Sequence, residues 1–478
     1  SAGSMRAAYD DDGMRWWQPL SDAAVVVLAG SATIGVWLGS SPWLLVVVGV
    51  LGAVISSGAL ASVGARADVA VVAAALAVVG SVASARAWDE AQPDRLGPYV
   101  GWVTVATDPR WVLGAVSVVL EVEGERFDAF VYGPPGRRLS MRRAGERVEV
   151  VATRVDLRPQ TERRARSRHV VGRLQVERVG AAAAGSPLAT GINRLRERLT
   201  MAAERSMDPD DAALFTGLVI GDDTRQDPDT LSTFRSAGLS HLTAVSGQNV
   251  ALVVASAGLV LRRLPAWWRL GATWALIAWF VLLTRAEPSI VRAGVMAGCS
   301  AASFTFGRER TPVRMLGLAV LVLVLVDPLL VWSVGFWLSV TATLGVTVAA
   351  PWIASRLAGP TWFVGSLSVT LGAQVGVMVP SWLVFGRLPT LGVPANLLAV
   401  PAAGAVMSMG VPVALVASVL PARVAGIVMA PAAFATHWVA TVAALAAALE
   451  PRGAAIVAAW AAQGAVIAVS AIARTRRR

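Results

Sequence analysis

Apolar segments of membrane-spanning length recur along almost the whole chain, and a chain built this way has few folds open to it. About twenty apolar residues at ~1.5 Å rise cross ~30 Å of hydrocarbon, and within that layer every backbone N–H and C=O must be satisfied by the segment itself. Such stretches run over Ala23–Gly39, Pro42–Val63 and Val69–Ala85. They resume over Leu239–Leu261, Leu270–Arg285, Pro288–Phe306, Val313–Val326, Gly335–Ala354, Thr361–Phe385, Leu391–Val419, Val424–Leu449 and Gly453–Ala473. The pattern predicts a polytopic α-helical membrane protein with about twelve membrane segments. With 55% of 478 residues hydrophobic, 15% charged and a mean hydropathy of +0.60, the chain is more apolar than a soluble core requires.

The basic residues orient these segments. Arg6 and Arg15 precede the first, the link between the first two (SSP) is uncharged, and Arg66 lies between the second and third. Further arginines gather at Arg262, Arg263 and Arg269, at Arg308, Arg310 and Arg314, and at Arg474–Arg478. The positive-inside rule then places residues 1–22 in the cytoplasm and the chain after Trp88 on the outer face. The opening SAGS, before Met5, reads as the remnant of a tag.

Residues 98–180 differ in kind. Alternating, β-branched runs near YVGWVTVA, WVLGAVSVVLEV, ERFDAFVYG, ERVEVVATRV and HVVGRLQVERV predict five short strands, which suit an inserted extracellular OB-like barrel, a frequent binder of single-stranded nucleic acid. Between Arg137 and Arg168 eleven arginines face Glu146, Glu149, Asp156 and Glu162, an excess of seven positive charges that calls for an anionic partner. The candidate nucleic-acid contacts are Arg137, Arg138, Arg142, Arg143, Arg158, Arg163, Arg164, Arg166 and Arg168. Trp102, Trp111, Phe127, Phe130 and Tyr132 are either core rings or stacking platforms, with core the first expectation for each. The RRARSR run reads as a solvated loop or as a DNA contact.

Residues 187–238 read as amphipathic surface helices. Ile192, Leu195 and Leu199 have helical spacing, a second helix covers 210–220, and a third is opened by Asp227 with Pro228 behind it and closed by Gly238. Asp222, Asp223, Asp227 and Asp229 are assigned to capping ahead of cation binding. In the membrane region, 239–478, the Leu239–Leu261 helix carries His241, Ser246, Gln248 and Asn249 on one half of its surface. Such a face lines protein or a wet path, or else bonds a neighbouring helix. Together with Gly247, Arg285, Arg292, Gln374 and Asn396 these residues form the candidate channel lining, and Glu287 is the available partner for the two arginines. Prolines and glycines over Pro389–Pro421 suggest a broken or re-entrant segment.

Little here points to catalysis. The chain has no lysine, so a Walker A motif is excluded and ATP-driven work falls to a partner. Its three histidines, His169, His241 and His437, are scattered, and Cys299 is alone, so no metal site, disulfide or cofactor is expected. A pairing of Ser246 as nucleophile with His241 as base lacks a carboxylate orienter.

Four blocks carry a resemblance: GLSHLTAVSGQNVALV, the upstream GLVIGDD, DPLLVWSVGFWLSV (Asp327–Val340) and FGRLPTLGVPANLLAVP (Phe385–Pro401). In order and spacing they are similar to those of the ComEC family, the inner-membrane channel of bacterial competence. The resemblance implies a channel importing single-stranded DNA during natural transformation, an OB domain outside, and partners in a cytoplasmic ATPase or strand-binding protein, an external DNA receptor and the lipid bilayer. Trp337 stands where relatives commonly carry Gln, which removes one polar candidate. Many relatives add a C-terminal domain resembling metallo-β-lactamases, and this chain ends at RTRRR before one, so that domain is expected to be missing or truncated and no nuclease activity is expected. The alternative function is a membrane-embedded enzyme, or an exporter, acting on a lipid-linked or anionic cell-wall polymer. Oligomeric state leaves no signal.

Overall fold

The computed structural model describes residues 21–39, 67–243, 247–305, 311–386, 389–451, 456 and 461. The segment expected over Pro42–Val63, that over Gly453–Ala473 apart from residues 456 and 461, Ser246, and the arginines at 6, 15, 66, 308, 310, 474 and 476–478 lie outside the described residues.

In chain order the elements are α1 (Asp22–Leu38), α2 (Ala67–Glu90), β1 (Gly97–Val105), β2 (Arg110–Val112), β3 (Ala115–Val122), β4 (Glu125–Val131), α3 (Gly133–Ser140), β5 (Arg147–Val155), α4 (Pro159–Arg166) and β6 (Val170–Ala183). There follow α5 (Pro187–Glu204), α6 (Pro209–Ile220), α7 (Pro228–Ser236), a single turn at Ser240–Thr243, α8 (Gly247–Leu261), α9 (Ala266–Leu283) and α10 (Pro288–Thr305). The last are α11 (Pro312–Val326), α12 (Val334–Ala354, with a π-turn at Gly345–Ala349), α13 (Thr361–Phe385), α14 (Gly392–Ser418) and α15 (Ala422–Leu449).

The chain divides into two compact units. The first holds α1, α2 as far as Ala85, and α11. Gly35 and Gly80 bring the α1 and α2 backbones together, since a Cβ on either would overlap a carbonyl of the other helix. Asp22, at the start of α1, accepts from Arg314 Nε (2.8 Å) and Thr311 Oγ1 (2.6 Å) of the α11 end.

The second unit comprises the sheet and the remaining helices. The strand order is β1-β5-β6-β4-β3-β2; β1 also pairs with β3 at Thr104 and Val105, and β4 runs parallel to β6 while the other pairings are antiparallel. Alternation sends Val103, Val105, Val116, Val118, Leu120, Phe127, Val148 and Val150 into one core. Six strands form where five were expected, because Leu113 (φ 50°) and Gly114 (φ 81°) turn the WVLGAVSVVLEV run back on itself. Two consecutive positive φ values make the two-residue hairpin turn whose twist matches antiparallel strands. Glu123 and Gly124 repeat the device between β3 and β4.

Six described helices are long and apolar enough to cross a membrane: α2, α9, α12, α13, α14 and α15. α1, α8 and α11 are apolar but shorter. Of the expected Leu239–Leu261 span, helix is described over Ser240–Thr243 and over Gly247–Leu261, residues 244–246 lying outside the described residues, and the fifteen residues of α8 by themselves rise ~22 Å. α14 is corrected, being one continuous helix through Pro401 and Pro412. It is held by buried Ala399, Ala403, Val406 and Ala414 within the bundle core, and by the Glu450 carboxylate, which accepts from Thr390 N (2.7 Å) and Leu391 N (3.0 Å). Among the three helices expected over 187–238, α5 is amphipathic, packing an Asn193–Arg196–Leu199–Ala203 line against α6 and α14 and leaving Arg194, Glu197 and Arg198 exposed, whereas α6 buries every residue from Leu214 to Ile220. α7 forms as expected, with Asp227 accepting from Asp229 N at 2.9 Å and Gly238 left-handed (φ 73°) behind it.

Candidate functional site

The polar groups of the second unit converge where the sheet meets the bundle. The loop from β1 to β2 reads Thr107-Asp108-Pro109-Arg110, and its acid and its base each reach a bundle residue of opposite charge. Arg285 grips Asp108 side-on, Nε to Oδ2 at 3.0 Å and Nη2 to Oδ1 at 3.1 Å. Arg196 Nη2 approaches the same Oδ2 at 3.4 Å, and Ala144 N donates to Oδ1 at 2.9 Å. Burial by itself would raise the Asp108 carboxyl, but Arg285 and Arg196 outweigh it and hold the group below its ordinary value of 3.8. Arg110 forms a second clamp, on Asp223 at 2.7 Å.

Both arginines are fixed by other groups as well. Arg196, 5% exposed, donates through Nη1 to the carbonyls of Ile220 (2.9 Å) and Leu283 (2.8 Å), the last residues of α6 and α9. It thus caps two helix C-termini, where the backbone leaves carbonyls unpaired and the dipole favours a cation. Arg285 Nη2 also donates to Asn193 Oδ1 (2.5 Å). It sits in a turn where Arg285 (φ 62°) and Ala286 (φ 51°) are both left-handed without being glycine, a strain of roughly 1–3 kcal/mol each that the ion pair helps to offset.

The structure sorts the nine sheet-domain arginines into two groups. Arg143 leaves the surface for Asn193 O (3.1 Å) and Glu197 (3.3 Å) on α5; Arg138 donates to Val179 O (2.7 Å); Arg142, Arg166 and Arg168 face Glu146, Glu162 and Asp128. Arg137, Arg158, Arg163 and Arg164 are exposed with no carboxylate at ion-pair distance among the described residues, and Arg163 lies over the Trp332 ring at 5.7 Å. The RRARSR stretch is not a loop: most of it is the last turn of α4. The core expectation for the five rings holds for Phe127 alone, at 0% exposed. Trp102, Trp111, Phe130 and Tyr132 are 40–67% exposed, and Arg147 covers Trp102 at 5.7 Å.

The membrane candidates do not meet in one place. His241 is exposed on the single turn before α8, Gln248 is half-buried, and a Cβ on Gly247 would lie 3.0 Å from Ala293 Cβ of α10. Asn249 is fully buried, and its Nδ2 donates to Leu218 O of α6 at 2.7 Å. Arg292, 5% exposed, donates to Gly335 O at 3.0 Å, and its Nε meets no partner among the described residues. Asn396 bonds back to Gly392 O (2.7 Å), Gln374 is half-buried on α13, and Trp337 donates to Val331 O (2.8 Å). Asp222 and Asp223, assigned to capping, instead face Arg196 and Arg110. Sequence alone missed Asp108, Asn193 and Arg196; the single signal for Arg196 is an arginine on the apolar side of α5.

These features define a multi-pass membrane protein with a sheet domain joined to its helical bundle by ion pairs at Asp108 and Asp223. Residues 218–476 match the family model described as competence protein. The chain belongs to that family, in agreement with its ComEC-like blocks. It is similar to ComE operon protein 3 of Bacillus subtilis (strain 168), 28% identical over 212 residues, which are 43% of this chain and 26% of that protein. The match thus spans about a quarter of the curated relative. No solved structure matches.

Proposed function

We propose that the chain imports single-stranded DNA across the bacterial cytoplasmic membrane, with the sheet domain outside as the capture surface and the bundle as the path. The observation that carries this is the set of exposed arginines, Arg137, Arg158, Arg163 and Arg164, on a domain fixed to the bundle of a competence family member. Arginine contacts to phosphates release counterions and bind without regard to sequence, as uptake of foreign DNA demands. An OB-like barrel is supported by the pairing circuit, in which β1 joins β5 and β3 and parallel β4 and β6 lie opposite. Exposed Trp102, Phe130 and Tyr132 would then stack bases beside Arg147. The extracytoplasmic placement is supported by Arg262, Arg263 and Arg269 near the α8–α9 connection, which the positive-inside rule puts in the cytoplasm. Gly247, Gln248, Arg292 and Gln374 remain the lining candidates, the chain itself acts as conduit and not as catalyst, and a cytoplasmic partner supplies the energy.

The test is complementation of a transformation-deficient deletion strain. The unaltered chain should restore uptake, and the variant with Arg137, Arg158, Arg163 and Arg164 replaced by Gln should not, although it inserts normally. Its residual DNA binding should weaken alike for all sequences, with a salt slope shallower by up to about four. Undiminished uptake by this variant would remove the capture role.

A further inference from the structure

We propose that Arg196 and Arg285 form a phosphodiester-binding pair which the sheet domain's own Asp108 occupies in this structure, and which the backbone of an incoming strand takes over by displacing that carboxylate. The inference rests on the DNA reading above and adds a site to it. The donor set around Asp108 is one that suits a phosphate: a guanidinium side-on through Nε and Nη2, a second guanidinium, and the backbone N–H of Ala144. A phosphodiester carries one negative charge, as the carboxylate does, so the exchange leaves the charge of the joint unchanged.

Asp108 is not the only anchor of the pair. Arg196 is anchored on the carbonyls of Ile220 and Leu283 and paired with Asp222 at 3.4 Å, and Arg285 is held by Asn193 Oδ1. Asp108, by contrast, sits on a loop between β1 and the three-residue β2. Access is graded in the same sense. The Asp108 and Arg285 side chains are 18% and 17% exposed, whereas Arg196 behind them is 6% exposed. Two part-exposed arginines, Arg110 at 47% and Arg143 at 33%, flank the joint and extend the basic surface of the sheet domain to it. A strand captured outside would therefore meet the joint as its first buried phosphate contact, and would loosen the β1–β2 loop as it bound.

The experiment uses the full chain in detergent and a labelled oligothymidylate at fixed salt. Asp108→Asn should bind about tenfold more tightly than Glu177→Gln, which removes the same charge from an exposed position on β6. The gain should vanish when Arg285→Gln is added. Equal affinity of Asp108→Asn and Glu177→Gln, or a gain that survives Arg285→Gln, overturns the inference while leaving DNA capture intact. Failure of the unaltered chain to bind overturns both. Should Asp108→Asn not fold, the unaltered chain decides: an oligonucleotide bearing a photoreactive thymine analogue should cross-link to residues 193–196 or 283–287, and cross-links confined to the rest of the sheet domain reject the site.

Discussion

Asn249 shows how one side chain settles between two uses of a polar helix face. A helix leaves its last four carbonyls without intrahelical partners. Two of those at the end of α6, Leu218 and Ile220, are met by Asn249 and Arg196 from distant helices. Asn249→Leu should accordingly destabilise the detergent-solubilised chain by about 1–3 kcal/mol, because it orphans a buried acceptor, and a melting curve unchanged from the unaltered chain would refute this role. Asp108 gives a pH test. Its carboxyl is depressed in the folded state, so its contribution is fully present above the unfolded value of about 3.8 and is lost as pH falls through the folded one. The stability difference between the unaltered chain and Asp108→Asn should hold constant from about pH 7 to 5 and shrink below about 4 in denaturant titrations. Local chemistry made the Asp227 cap and the Gly238 stop legible from neighbouring residues. Asp108 was not legible, since its partners Arg196 and Arg285 are 88 and 177 residues away and no local rule links them.

Among the elements, periodicity and length located nearly every described helix and strand, and the errors fall where packing overrides the local signal. Proline and glycine in α14 suggested a break, yet its buried alanine face keeps the helix whole. Leu113 in a left-handed turn split a strand that alternation alone reads as continuous. The crossing of α12 and α13 rests on glycines the sequence did not single out: a Cβ on Gly376 would overlap the Thr341 carbonyl oxygen, and one on Gly345 the Gly372 carbonyl oxygen. The π-turn of α12 begins at Gly345, so the closest approach coincides with its irregular turn. Gly376→Ala should therefore cost about 1–3 kcal/mol through forced separation of the two helices. Gly271→Ala on α9, where nothing lies within 4 Å of the added carbon, should be neutral or stabilising by up to about 1 kcal/mol. Thermal unfolding of the two variants side by side checks this, and equal melting temperatures would show that the α12–α13 contact is not tight.

At the scale of the molecule, the proposed function gives capture and passage to different parts: exposed arginines on the sheet domain, and a bundle in which α8 packs on α10 through Gly247 and Ala293. The division predicts opposite phenotypes. Gly247→Leu drives a branched side chain into Ala293, 3.0 Å from where its Cβ must sit, and so spreads α8 from α10 without touching the sheet domain or the Asp108 joint. DNA retained at the cell surface should stay at the level of the unaltered chain while transformation falls by about two orders of magnitude, the step expected when a path is blocked by roughly 2–3 kcal/mol. The four-arginine variant should lose both, because passage depends on prior capture. Surface retention and transformation frequency measured in the same cultures, with equal membrane levels of each chain, separate the two. If Gly247→Leu also loses retention, capture extends into the bundle, and the Arg196–Arg285 pair becomes the first place to look for it, since both arginines belong to the bundle and hold the sheet domain's Asp108.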